Sequence, residues 1–322
     1  MKVFNNILET IGNTPIVRLN KIPEKDMKIY AKLEFFNPSG SIKDRMAYYI
    51  IQKAEEEGKI NGIIVENSSG NMGASLAMIG AVRGYRIIIT IPDKMSQEKI
   101  NLMKAFGADV IVTKTDVPYD SPESYYSMAR KISEEFGAYY PDQYNNPYNI
   151  EAHYKITGPE IWDQMDGQID ILVAGIGTGG TISGVGKYLK EKNPEIKVIG
   201  VDPEGSVFYN YFKEKKLIKP HVYKVEGIGE DYLVKDVDFS VIDDIIQVND
   251  KESFNMARKL AFEEGIFAGG SSGSAMVAAL KVAKENKNKN ILVIFPDSGD
   301  RYLSKIYNDE WMIKNGFMEA DE

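Results

Sequence analysis

Asn37-Pro38-Ser39-Gly40-Ser41-Ile42-Lys43-Asp44-Arg45 is a Pro/Gly/Ser loop running into a helix, with one lysine just inside the helix start. Ser41-x-x-Asp44 reads as a capping box, and Met46, Ile50 and Ala54 with Ala47 and Ile51 give the apolar stripe of the helix that follows. Lys43 then lies in the first turn, where unpaired backbone N–H groups and the helix dipole disfavour an added positive charge. Such a setting lowers an amine's pKa and favours the free base, the form that condenses with an aldehyde. In isolation the motif reads as an ordinary solvated lysine; its surroundings change that.

Outward from this loop the chain alternates. Upstream are a turn at Gly12-Asn13-Thr14-Pro15 and strand-like runs at Ile16–Leu19 and Ile29–Leu33. Downstream, strands at 62–66, 86–92 and 109–112 alternate with helices at 74–82 and 97–106, punctuated by Gly58, Gly84 and Gly107. A helix over 123–136 leads to a Tyr/Asn/Pro-rich crossing, Tyr139 to Tyr148, which reads as a domain junction. The second half repeats the pattern: strands 170–174, 197–201 and 290–295, helices 181–192, 251–264 and one opened by Gly269-Gly270-Ser271-Ser272-Gly273, with a loop-rich segment at 203–240. Strand and helix in alternation with short glycine-marked turns predict an α/β protein of parallel sheets covered by helices, in two domains.

The bulk numbers narrow the function. The 322 residues are 43% hydrophobic and 27% charged, with net charge −8 and no cysteine. Thiolate chemistry and disulfides are excluded, and the acidic balance argues against nucleic-acid binding. No apolar run reaches the roughly 18 residues of a membrane span, and no signal-peptide pattern opens the chain, so a cytoplasmic protein without a membrane partner is expected. With only His153 and His221, a histidine metal site or triad is not expected.

Three loops could carry chemistry. Gly175-Ile176-Gly177-Thr178-Gly179-Gly180-Thr181 joins a strand to a helix, and its backbone N–H groups suit a phosphate. It also satisfies G-x-G-x-x-G through Gly175, Gly177 and Gly180, with Asp202 downstream, so a nicotinamide oxidoreductase is a rival reading. The hydroxyls of Thr178 and Thr181 favour a phosphate monoester instead. Ser68-Ser69-Gly70-Asn71-Met72 holds the same topological place in the first half and suits a carboxylate, or is a generous N-cap. Asp297-Ser298-Gly299 follows the last strand, which places Ser298 where open sheets bind ligands.

Taken together these residues closely resemble the fold-type II pyridoxal-phosphate enzymes of the cysteine synthase and cystathionine β-synthase family. The likeness runs from Ile11-Gly12-Asn13-Thr14-Pro15 to Trp311-Met312 and Gly316-Phe317, through Asn37 to Arg45, Ser69-Gly70-Asn71, Asp142-Gln143-Tyr144, Gly177 to Thr181, Asp202-Pro203-Glu204-Gly205 and Glu226-Gly227-Ile228-Gly229. The last two blocks and Trp311 resemble the cystathionine β-synthase catalytic core more than cysteine synthase. The haem-binding and C-terminal regulatory parts of that family's long members have no counterpart in the sequence.

The resemblance implies a two-domain tryptophan-synthase-β-like fold with pyridoxal 5'-phosphate in the interdomain cleft. The smaller, mobile domain would comprise 1–12 and 36–147, and the larger phosphate-binding domain 13–35 and 148–322. A homodimer is implied with it. Residue by residue, Lys43 would form the imine with the cofactor. Gly177, Thr178, Gly179, Gly180 and Thr181 would hold its phosphate, Asn71 would touch the ring hydroxyl and Ser298 would face the pyridine nitrogen. Ser68, Ser69, Asn71, Met72, Gln143 and Gly227 would bind the small amino-acid substrate. The implied reaction is β-replacement or β-elimination on L-cysteine or L-serine through an aminoacrylate, releasing hydrogen sulfide from cysteine. Cystathionine or lanthionine synthesis is the alternative, and O-acetylserine sulfhydrylation fits less well. A catalytically silent amino-acid-binding relative is the remaining rival.

Two departures from the family pattern concern the substrate. Met72 stands where a threonine is usual, so a backbone N–H must replace one hydroxyl contact. Glu230-Asp231 stands where Tyr-Asp is usual, and two carboxyls there would repel a second anionic amino acid unless one is protonated or paired. Asp231 is therefore the expected activator of an incoming nucleophile, with water competent and L-serine the product.

Overall fold

The computed structural model describes residues 3–118 and 120–319; the outermost residues of the two expected domains, 1–2 and 320–322, lie outside that range. The strands are β1 (Ile16–Arg18), β2 (Lys28–Leu33), β3 (Ile63–Asn67), β4 (Arg86–Pro92), β5 (Asp109–Thr113), β6 (Ile171–Gly175), β7 (Lys197–Pro203), β8 (Asp244–Val248) and β9 (Asn290–Phe295). The helices are α1 (Lys43–Glu56), α2 (Asn71–Arg83), α3 (Gln97–Ala105), α4 (Tyr125–Phe136), α5 (Pro147–Ala152), α6 (Gly158–Gln164), α7 (Gly180–Lys192), α8 (Phe208–Glu214), α9 (Asp250–Lys259), α10 (Gly270–Glu285) and α11 (Asp309–Lys314). No helix among the described residues is long and apolar enough to cross a membrane.

The strands form two sheets. One has the order β1-β2-β9-β6-β7-β8 and is parallel except for β1, which runs antiparallel to β2. The other is the parallel trio β3-β4-β5. The inner strands are near-continuous apolar runs, as Ile291 to Phe295 in β9, because helices cover both faces of a parallel sheet. Leu19, Val173, Val293 and Ala279 belong to the core on one face of the large sheet, and Leu172, Val198, Ile182 and Leu292 to the core on the other. A third core packs α1 and α2 on the small sheet through Ile50, Leu76, Ile79 and Ile89.

The α/β class and the strand–helix alternation agree with the sequence reading. Three points differ. The β8 edge strand, which follows the expected loop-rich segment 203–240, is not among the strands expected from the sequence: it holds only three apolar residues among five and carries Asp244 at its start. Helices α5, α6 and α8 are each six or seven residues long, too short to show a helical period. The helix expected over 251–264 is α9 followed by a π-helical turn, Leu260–Glu264.

This topology brings the C-terminal ends of β3, β6 and β9 to one cleft. Its first connection also joins the sheets: Ser41 bridges Asp297 just after β9, which seats the Lys43 helix across the gap between them.

Candidate active site

Lys43 is the first residue of α1, and the capping box predicted around it does not form. Asp44 is instead buried and accepts from the Ser39 backbone N–H at 2.7 Å, from the Ser39 hydroxyl and from Ser75 Oγ at 2.6 Å. The N-cap residue of α1 is Ile42, which has no capping side chain, and Ser41 Oγ accepts only from the Lys43 N–H, at 3.3 Å. Burial is the main force on Lys43, pushing its amine down to about 8, while Glu230 and Asp297 pull it partly back. The lowered amine expected from the sequence is thus present, with burial as its chief cause. Lys43 Nζ lies 3.4 Å from Thr178 Oγ1.

Thr178 belongs to the glycine loop between β6 and α7. That helix has no side-chain cap, so its first amides remain available to an anion. Gly179, at φ +89°, makes the turn. A Cβ on Gly177 would stand 2.6 Å from Gly227 O, and one on Gly180 only 1.9 Å from Asn149 Oδ1. Asn149 Nδ2 donates to Thr178 Oγ1 at 2.9 Å and to Gln143 O at 3.1 Å, while its buried Oδ1 has no partner among the described residues. Behind the loop, Thr181 Oγ1 lies 3.3 Å from His153 Nε2. His153 is fully buried, and burial holds its ring well below the ordinary histidine range. Free amides, two hydroxyls and backbone with no room for side chains fit a phosphate monoester.

The rival dinucleotide reading needs Asp202 near a ribose. Asp202 is instead buried near the end of β7, its carboxylate accepting from the Tyr209 N–H of α8 at 2.8 Å, and it is absent from the cavity wall. Burial pushes its carboxyl up to about 7.

Across the cleft, the loop after β3 combines both readings made of it. Ser68 Oγ accepts from the N–H groups of Gly70 (3.0 Å) and Gly73 (2.9 Å), so it caps α2 while lining the cavity. Ser69, Met72 and Gly227 also line the cavity, as does Gln143, whose amide donates to Asn67 O at 3.0 Å. Asn71 spans the cleft: Nδ2 donates to Asp297 Oδ2 and Arg301 Nε donates to Oδ1, both at 2.8 Å.

Ser298 is placed differently from expectation. Its backbone bridges Ala268, and the chain then turns away into the 3-10 turn Gly299–Tyr302, so Ser298 does not reach the cavity wall. Ser271, second residue of α10, does line the cavity, and it is buried with no hydroxyl hydrogen bond among the described residues.

Glu230 and Asp231 both line the cavity. Asp231 is exposed and Glu230 half-buried. Burial and then the Asp231 charge push Glu230 up to about 8, against Lys94 and Lys43, which pull it down. Of this pair it is Glu230 that acts on Lys43, beside Asp297, and the sequence reading gave Glu230 no role of its own. It also missed the aromatic wall: Tyr125, Tyr126, Tyr144, Tyr223 and Tyr232 surround the same cavity of about 870 Å³, scattered too widely in sequence to form a motif.

Residues 7–297 match the model of the family described as pyridoxal-phosphate dependent enzyme. The chain belongs to that family. Its cofactor is pyridoxal phosphate, which the glycine loop and Lys43 suit. Among curated relatives it is 47% identical to the cystathionine beta-synthase of Apis mellifera, over 99% of this chain and 64% of that protein. It is 45% identical to that of Saccharomyces cerevisiae, over 98% and 66%. The chain thus spans less than two-thirds of the length of these relatives. Among solved structures, a hydrogen sulfide-producing enzyme from Fusobacterium nucleatum is 38% identical with a TM-score of 0.87, over 94% of this chain and 100% of that one. O-ureido-L-serine synthase is 34% identical with a TM-score of 0.88, over 100% and 98%.

Proposed function

We propose that the chain is a pyridoxal-phosphate β-replacement or β-elimination enzyme acting on L-cysteine or L-serine. It releases hydrogen sulfide from cysteine, with water or a thiol as second substrate. The observation that carries this reading is Lys43 Nζ, a half-buried amine in the cavity wall, set between a phosphate-type loop at 3.4 Å and a carboxylate-type loop that lines the same cavity.

In this proposal Gly177, Thr178, Gly179, Gly180 and Thr181 hold the cofactor phosphate, Asn149 orients the Thr178 hydroxyl, and Ser271, rather than Ser298, faces the pyridine nitrogen. The cofactor, when bound, supplies the aldehyde and the conjugated ring that acidifies the carbon next to the amino nitrogen. Lys43 Nζ takes the α-proton and returns a proton to the leaving group; its lowered pKa keeps it a usable base near neutrality. A hydroxyl partner such as Ser271 leaves the ring nitrogen unprotonated, which suits prompt loss of a β-substituent over a long-lived carbanion. Ser69, the Met72 N–H, Gln143 and the free donor of Ser68 receive the substrate carboxylate, and Gly227 bounds the amino-acid side of the cavity. Asn71 lies at the ring-hydroxyl edge, its amide already shared by Asp297 and Arg301.

Asp231, exposed to cavity water, orients or deprotonates the incoming nucleophile, and Glu230, held partly protonated, reduces repulsion between the pair. The division into a mobile part, 1–12 with 36–147, and a larger part, 13–35 with 148–322, belongs to the same proposal, as does a homodimer on family likeness. The cystathionine or lanthionine reading stands second, favoured by the curated relatives and by a cavity large enough for a second amino acid. Borohydride trapping followed by peptide mapping should put the pyridoxyl group on Lys43, and L-cysteine alone should give sulfide and L-serine. Trapping elsewhere removes the proposal. Product only with serine plus homocysteine selects the second reading, and undiminished sulfide release by Asp231→Asn removes the base.

A further inference from the structure

Lys99 lies on α3, beside the small sheet, and is only 2% exposed. Its ammonium donates to Glu226 Oε2 at 2.5 Å, across the cleft in the loop before Gly227, and sits 4.8 Å from the centre of the Tyr302 ring. Lys305 completes the group from the Glu226 side, donating to Glu226 Oε1 at 2.6 Å and back across to Lys94 O at 2.8 Å. Beside it the Glu98 carboxylate accepts from Ser304 N and Oγ, both at 2.9 Å. Burial works against the Glu226 charge, but the two ammoniums outweigh it and hold the carboxyl below its ordinary value.

The stem of Lys99 has a second contact. Gly70, at φ +131°, lies so close beneath it that a Cβ there would stand 2.4 Å from Lys99 Cδ and 3.0 Å from Cγ. One side chain therefore touches the backbone of the Ser68–Gly73 loop and the carboxylate on the opposite lip. Lys99, Lys305 and Glu226 are two cations and one anion, with the Glu98 carboxylate beside them.

We propose that Lys99 is a positioning residue for the substrate α-carboxylate: its stem fixes Gly70, its ammonium ties the loop to Glu226, and carboxylate binding is thereby coupled to joining the two lips of the cleft. This rests on the carboxylate-loop reading given above.

Lys99→Met keeps the stem and removes the charge, and Lys305 still pairs Glu226, so no buried carboxylate is left alone. The expected result for the holoenzyme is a KM for L-cysteine raised about tenfold, cofactor affinity by fluorescence titration unchanged, and recovery of most of the loss by Lys99→Arg. Ser69→Ala is measured alongside. If Ser69→Ala raises KM and Lys99→Met does not, the coupling is refuted and the loop reading survives. If neither raises it, both fall. A loss of cofactor affinity in proportion to KM shows general loosening and overturns the proposal. Should Lys99→Met fail to fold, Glu226→Gln must show the same split between KM and cofactor affinity.

Discussion

Two buried ion clusters join the halves of this protein, and they are built on opposite plans. One surrounds Arg45, two residues past Lys43. Its guanidinium donates to Glu34 (2.7 and 2.9 Å) and Glu160 (both at 2.8 Å), while Lys32 donates to Glu160 at 2.5 Å, Gln164 at 2.6 Å and Thr14 O at 2.6 Å. Its charges cancel, every member is hydrogen-bonded, and the cavity does not reach it. The other, Lys99–Glu226–Lys305, carries one charge in excess, and Glu226 and Lys305 lie in the cavity wall. A balanced, dry cluster is hard to separate because each charge would be stranded. A cluster at a wet edge opens more readily, since water takes over its partners. The first is therefore a fixed anchor for the lysine helix, and the second a contact that can part.

Arg45→Met is the severest test of that contrast. It strands Glu34 and leaves Glu160 with Lys32 alone, and about 3–5 kcal/mol of stability should disappear from a denaturant melt, with cofactor binding weakened as α1 shifts. A smaller loss than that of Lys99→Met would invert the assignment of anchor and latch.

Acid comes next. Burial pushes Glu160 up, but Arg45 and Lys32 hold it at about 2 against an ordinary 4.5. Its folded-state pKa is depressed, so its contribution, roughly 3 kcal/mol, is complete above pH 4.5 and fades as pH falls toward 2. Acid melts of Glu160→Gln should lack that limb, whereas Glu226→Gln should retain it.

The smallest effect is that of salt. Raising ionic strength to about 0.5 M should increase the KM for L-cysteine less than about twofold, through the partly exposed Lys305, and leave the anchor unchanged. A large fall in thermal stability over the same range would mean that the Arg45 cluster is more open to water than its burial indicates.

The α/β layout was readable because buried parallel strands leave apolar runs between glycines. Lys43 and the glycine loop were readable because their chemistry sits in contiguous residues. The capping box around Ser41 was misread because Asp44 has stronger partners in Ser39 and Ser75, one of them distant in sequence. Ser298 was chosen by following the end of a strand, but the segment leading to α10 pairs with that end only through Ala268. It is this segment that delivers Ser271 to the cavity. Lys99 and Glu226 carry no local signature, and neither do the tyrosines of the wall; only the folded chain brings them together.

The position of β9 has a consequence for how the molecule is made. This strand lies between β2 and β6 in the large sheet, and the residue just after it pairs with Ser41. During synthesis the small sheet, whose strands are neighbours along the chain, can assemble while the ribosome is still working. β2 must wait for β9, with that edge unpaired until residues 290–295 have been made. Competence to hold the cofactor is thus deferred until β9 has emerged, and a growing chain stalled before β9 should be a client for chaperones rather than a partial enzyme.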